Sequence, residues 1–213
     1  MAAPLSQPGR RTSLGADLIG LITHPKESFP HLLDRGKSAE AMAFAAISGV
    51  YVAFSAAQRL HVGDRFGFTA TALGVLVLGC AMGLAAFIAA GALLELSAEA
   101  LRGHPETDRM YAVFGYATWP FTPLLVILVP VLYAAYGTAL FSAARPAAGP
   151  LGVVVDVLEI ATIGLWLYLM VMGISTAAAL SRGTAVKALA LTALEAVVLA
   201  VLLVVILFVS FLI

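Results

Sequence analysis

Charge is what this chain has least of. Asp, Glu, Lys and Arg make up 11% of its 213 residues, less than half of the ~25% usual in soluble domains. A soluble fold of this length could not hide an apolar fraction of 62% and a mean hydropathy of +1.01. The formal net charge is +0, so the chain carries neither the basic footprint of a nucleic-acid binder nor an acidic tail. The single cysteine, Cys80, excludes an intramolecular disulfide and a cysteine-based metal site. Its apolar flanks are those of an inert, structural cysteine. The four histidines, His24, His31, His61 and His104, sit in separate polar segments without metal-ligand spacing. No HExxH, paired His-Asp or Gly-x-Ser-x-Gly is present, so no group of acid, base or metal ligands converges. The expectation is a protein that is not an enzyme and holds no cofactor or metal.

Long apolar runs are what the chain has in abundance. They predict an all-α membrane protein, a five-transmembrane-helix bundle preceded by an N-terminal interfacial amphipathic helix. Residues 1–38 form a cytoplasmic N-terminal segment, and 39–213 a membrane domain. Its spans lie at about 39–57, 69–94, 111–137, 157–180 and 188–213, each long enough for a ~30 Å hydrocarbon core.

Residues 1–11 are expected to be disordered. Arg10-Arg11 faintly suggests a twin-arginine export signal. The apolar stretch after it, Leu14 to Ile22, is interrupted by Asp17 and lacks a small-residue cleavage site, which favours a basic cytoplasmic tail. Leu14, Leu18, Leu21 and Ile22 recur at helical spacing, as in a helix lying on the membrane. Residues 23–30 then turn the chain, with Phe29 as an interfacial anchor.

In span two, Gly79 and Gly83 form a GxxxG that permits close helix approach; Gly164 and Gly173 are the packing candidates of span four. Span five has no glycine or proline and reads as lipid-facing.

The third span is organised differently. Tyr111, Tyr116 and Trp119 lead into it at the level expected for headgroup aromatics. Pro120, Pro123 and Pro130 then break it, since proline removes a helix N–H and clashes with the preceding turn. Pro123 and Pro130 are close to two turns apart and should share one side, expected to face other helices.

The most polar segment precedes this span. Glu95, Glu99, Arg102, Asp108 and Arg109 make it the candidate partner-facing loop, and Glu95, Glu99 and Arg102 are spaced as one helix face. Asp156 and Glu159, at the start of span four, read as solvated near the external surface, and Trp166 as packing. The clearly intramembrane charge is Glu195, past Lys187 in span five. Intramembrane carboxylates are expensive and are functional candidates by default.

Arg10, Arg11, Lys26, Arg35, Lys37, Arg102, Arg109, Arg182 and Lys187 fall on one side of five spans. Arg59, Arg65 and Arg145 fall on the other. The positive-inside rule puts the N-terminus in the cytoplasm and the C-terminus outside.

Three pieces of sequence carry a family likeness: Pro25-x-x-x-Phe29 ahead of span one, Tyr116-Ala117-x-x-Pro120 entering span three, and Trp166 through Gly173-Ile174 with Leu180-Ser181 and Lys187-Ala188. In these the chain resembles the Yip family, the Ypt/Rab-interacting membrane proteins and their bacterial relatives. Many members carry a double glycine after span two; here Gly103 stands alone. The short N-terminus and alanine-rich spans resemble the bacterial type, which has no Rab partner and would sit in the inner membrane. The resemblance implies a non-catalytic membrane scaffold or adaptor, binding other membrane proteins or organising the bilayer, with no nucleic acid and with oligomeric state left open. The alternative from the residues is a small transporter or channel subunit using the broken third span and Glu195.

Overall fold

In the computed structural model, residues 13–35, 38–144 and 149–212 are described, with side chains as far as 202 in the last stretch. Residues 1–11, Lys37 and Arg145, on which some sequence expectations rest, lie outside them. Among the described residues there are helices and no strands. Five helical segments are long and apolar enough to cross a membrane: Ala39–Arg59, Gly63–Ala100, Thr107–Phe141, Gly149–Ala177 and Arg182–Leu202. This is an integral membrane protein of five candidate spans.

Two short helices precede them, α1 (Leu14–Thr23) and α2 (Pro25–Leu33). The Ser13 hydroxyl caps α1 by accepting from Ala16 N–H at 3.4 Å. Proline opens α2 at the one helical position where its missing N–H costs nothing, so a single residue, His24, makes the turn that the sequence spread over residues 23–30. Phe29 is fully buried in the bundle core with Leu21, Leu32 and Leu33. It is therefore a plug in the bundle and not an interfacial anchor. The inward face of α1 carries Leu21 together with Asp17, while Ile19 and Ile22 point outward. A buried carboxylate is tolerated there because the α1–α2 turn brings Arg35 to within 3.2 Å of it.

The spans are α3 (Ala39–Arg59), α4 (Gly63–Ala100), a broken third span, α8 (Gly149–Ala177) and α9 (Arg182–Leu212). α4 spans 38 residues in two pieces, and the continuous piece after Gly67 is ~50 Å long. It bends at Gly67, which takes the left-handed φ of 74°, and it outruns a ~30 Å core. It stops in a Schellman turn: Gly103 N–H reaches Ala98 O at 2.9 Å and Arg102 N–H reaches Glu99 O at 2.9 Å. Arg102 takes φ 63° there, the position glycine usually fills.

Span three begins as α5 (Thr107–Ala117), continues through one turn, α6 (Phe121–Pro123), and a π-helical stretch, Leu124–Leu128, and ends as α7 (Val129–Tyr136) and a 3₁₀ turn, Gly137–Phe141. Pro120 is buried, whereas Pro123 and Pro130 lie exposed on the outside of the bundle. The two share a side, and that side is the opposite of the one expected. Leu124, Leu128 and Leu132 take the interior at helical spacing, which turns the prolines outward. Tyr116 likewise sits in the core instead of at a headgroup level, with its hydroxyl 2.8 Å from Ser38 Oγ.

The bundle has two core clusters. The first gathers α1 and α2 onto α4, α5 and α8 around Phe29, Phe87, Met110, Tyr116, Leu169 and Ile174. The second joins α3 to the broken span around Tyr51, Phe54, Leu124, Leu128 and Phe141. The most extensive helix pairing is α3 with α4, and glycine makes it possible. A Cβ at Gly79 would lie 2.6 Å from Val50 Cα, one at Gly83 2.8 Å from Ala46 Cα, and one at Gly49 2.5 Å from Gly83 Cα.

Candidate functional site

Three polar clusters join the helices around candidate residues. On the N-terminal side, the loop after α4 is tied to α2. Arg109 donates to Asp34 at 3.2 Å and to Glu106 at 3.0 Å, and Thr107 Oγ1 donates to Glu95 at 2.5 Å. Thus Glu95 and Arg109 brace the loop, while Glu99, Arg102 and Asp108 remain exposed. His104 N–H reaches Ala178 O at 3.1 Å, so the loop also rests on the end of α8.

Glu195 lies between α9 and α4. Its carboxylate accepts from Ser97 Oγ at 3.0 Å, and Ser97 in turn accepts from Thr192 Oγ1 at 2.9 Å. Ser97 is fully buried and Glu195 half-buried. α9 packs on α4 and α8, whereas the break in span three packs on α3. Glu195 and the prolines are therefore on different seams of the bundle.

Of the glycines singled out in the sequence, Gly173 approaches α5, where a Cβ would lie 2.7 Å from Val113 Cγ1. Gly164 faces open space. Gly115, against Ala41, makes a close approach that the sequence did not single out; a Cβ there would lie 2.6 Å from the Ala41 Cβ.

The third cluster has the strongest site geometry. Tyr51, Ser55 and Arg59 recur every fourth residue along α3 and so form one stripe. All three point to a single acceptor on α8, Glu159. Tyr51 Oη and Ser55 Oγ donate to Glu159 Oε1 at 2.7 and 3.0 Å, and Arg59 Nη2 donates to Oε2 at 2.8 Å. The Glu159 side chain is 15% exposed and that of Arg59 73%. The carboxylate is thus well satisfied, and Arg59 pairs with it while keeping guanidinium surface open to a second acceptor.

This cluster closes one end of a cavity of about 580 Å³ between α3, α4, α5 and α8. The rest of the lining is mostly apolar, including Val52, Met82, Ala86, Phe114, Ile163 and Trp166. The Trp166 indole N–H is buried there without an acceptor among the described residues. A smaller cavity of about 200 Å³, which includes Asp156 and His61, adjoins the cluster.

The sequence read Glu159 as solvated near the external surface. It does lie level with Arg59 at the end of α3, but its side chain is only 15% exposed and is bonded to α3. The helix that carries it starts at Gly149, ahead of the start read from the sequence. The signal that could have found the site was the α3 stripe, a Tyr-Ser-Arg series at four-residue spacing in an otherwise mostly apolar span. No group of three or more His, Cys, Asp or Glu suited to a metal occurs among the described residues. A carboxylate that accepts from two hydroxyls and a guanidinium holds α3 to α8 and can position a polar ligand group.

A family model described as the Yip1 domain matches residues 19–212. No curated protein and no solved structure matches the chain.

Proposed function

The chain belongs to the Yip1 domain family, and from that premise we propose that it is a non-catalytic integral membrane adaptor of the bacterial inner membrane, with its N-terminus cytoplasmic and its C-terminus external. The observation that carries this reading is the way α1, α2 and the loop after α4 are locked into one face. The Arg109–Asp34 and Arg35–Asp17 pairs and buried Phe29 tie it together. A rigid face that leaves Glu99, Arg102 and Asp108 exposed suits recognition of a partner protein, whose charges would be read by complementarity. The bias of Lys and Arg toward that side supports its cytoplasmic placement.

The transporter alternative needs Glu195 to exchange with water beside the broken span. Its hydrogen bond to Ser97 and its distance in the fold from the prolines support a role in joining α4 to α9.

The test is affinity purification of the full chain from its native membrane, beside a Glu99→Ala, Arg102→Ala, Asp108→Ala triple variant. The adaptor reading expects a membrane-protein partner that co-purifies stoichiometrically with the native chain and is lost at least ten-fold from the variant, at unchanged helical content. Partners that are identical in both, or none in either, would remove this face from the proposal.

A further inference from the structure

The cavity beside Arg59 has the dimensions and polarity of a lipid site. At about 580 Å³ it falls within the ~300–1,000 Å³ of small-molecule pockets. Its lining on α3 runs from Arg59 back to Ser48, ~16 Å of helix, which is the depth of one leaflet of a ~30 Å hydrocarbon core. The charged groups gather at one end only, while Ser48 and Thr118 toward the other end give their hydroxyls to the carbonyls of Ala45 and Gly115. At the charged end Arg59 gives one nitrogen to Glu159 and is otherwise 73% exposed, at the end of the span, where a phospholipid phosphate lies. Guanidinium is the side chain best matched to phosphate. Below it Val52, Met82, Ala86, Ile163 and Trp166 offer an apolar wall that an acyl chain can cover. The Arg59–Glu159 pair holds the guanidinium at the rim and keeps the carboxylate occupied, so the anionic headgroup meets a fixed cation.

We propose that this cavity binds one membrane glycerophospholipid, its phosphate on Arg59 and one acyl chain lying along α3 and α8 down to Trp166. The site is independent of the adaptor face, which lies at the other end of the bundle. A bound lipid would fill the gap between α3 and α8 that the second core cluster leaves open.

The experiment is native mass spectrometry of the full chain in maltoside detergent, after incubation with palmitoyl-oleoyl phosphatidylglycerol. The expected result is one retained phospholipid per protomer against excess detergent. Arg59→Gln should lower the bound fraction at least ten-fold. Ala86→Phe, which fills the exposed α4 wall without touching the ion pair, should do the same. Arg65→Gln removes an equal charge from an exposed site on the same side and should change nothing. Glu159→Gln keeps an acceptor for Tyr51 and Ser55 and leaves Arg59 cationic at the rim though no longer fixed, so it should retain the lipid with a loss well short of ten-fold. If Arg59→Gln folds poorly, the Ala86→Phe and Glu159→Gln pair decides.

Equal losses in Arg59→Gln and Arg65→Gln would reduce the binding to surface charge and overturn the site. Full retention in Ala86→Phe would place the chain elsewhere, also overturning it. A dimer without lipid in the native protein, lost in Ala86→Phe, would give the cavity to a second copy.

Discussion

Gly83→Ala and Gly74→Ala make the same chemical change in the same helix, and the fold predicts opposite signs for them. Both lie inside α4, where replacing glycine by alanine gains roughly 0.5–1 kcal/mol of helix stability. At Gly74 a Cβ meets nothing within 4 Å, so that gain should appear in full. At Gly83 the Cβ would press on the Ala45 carbonyl and lie 2.8 Å from Ala46 Cα. Both are backbone atoms of α3 and cannot rotate away as a side chain would. The helices must separate, loosening the largest pairing in the bundle, at an overpacking cost of about 1–3 kcal/mol. Set against the propensity gain, Gly83→Ala should be net destabilising by up to ~2 kcal/mol. Unfolding in mixed micelles with increasing dodecyl sulfate, followed by far-ultraviolet circular dichroism, measures both. An equal gain in the two variants would refute the tight α3–α4 crossing.

Three other outcomes follow from the same geometry. Phe29→Ala should cost about 3–5 kcal/mol in that titration and expose the α1–α2 turn to protease; an unchanged midpoint would mean that Phe29 is not a core plug. Arg102→Gly should stabilise by ~1 kcal/mol, because glycine takes the left-handed C-terminal position of α4 without a Cβ penalty; a loss would point to a contact made by the arginine side chain. Reporters fused after Ile213 should behave as external, with alkaline phosphatase active and green fluorescent protein dark. The reverse pattern would contradict the charge-based orientation.

The number and order of the spans could be read from the sequence because apolar length is a property of contiguous residues. What a span touches is not. Gly79 and Gly83 stood out through their spacing, but Gly49 and Gly115 carry no motif of their own, since their partners lie on other helices. The prolines of span three gave their common side correctly from spacing alone. Which side that is depended on Leu124, Leu128 and Leu132 winning the interior. Phe29 and Tyr116 read as interfacial because aromatics near span ends usually are; the α1–α2 pair folding over the bundle end buried Phe29, and Ser38 supplied the partner that let Tyr116 go inside. Glu159 read as solvated because nothing near it in sequence could pair with it; Tyr51, Ser55 and Arg59, which do, lie on another helix. The Tyr-Ser-Arg stripe was there to be seen on α3, but which carboxylate it meets is set by how the helices pack.

The adaptor reading meets its most direct test in reconstituted liposomes, with proton and ion flux measured for the native chain, for Glu195→Gln and for protein-free vesicles. Glutamine keeps the shape and the acceptor for Ser97 while removing the titratable proton. An adaptor should give no flux above the protein-free control in either form, with the variant folded and inserted as the native chain is. A flux carried by the native chain and abolished in Glu195→Gln would contradict the adaptor and establish a transport path through this carboxylate.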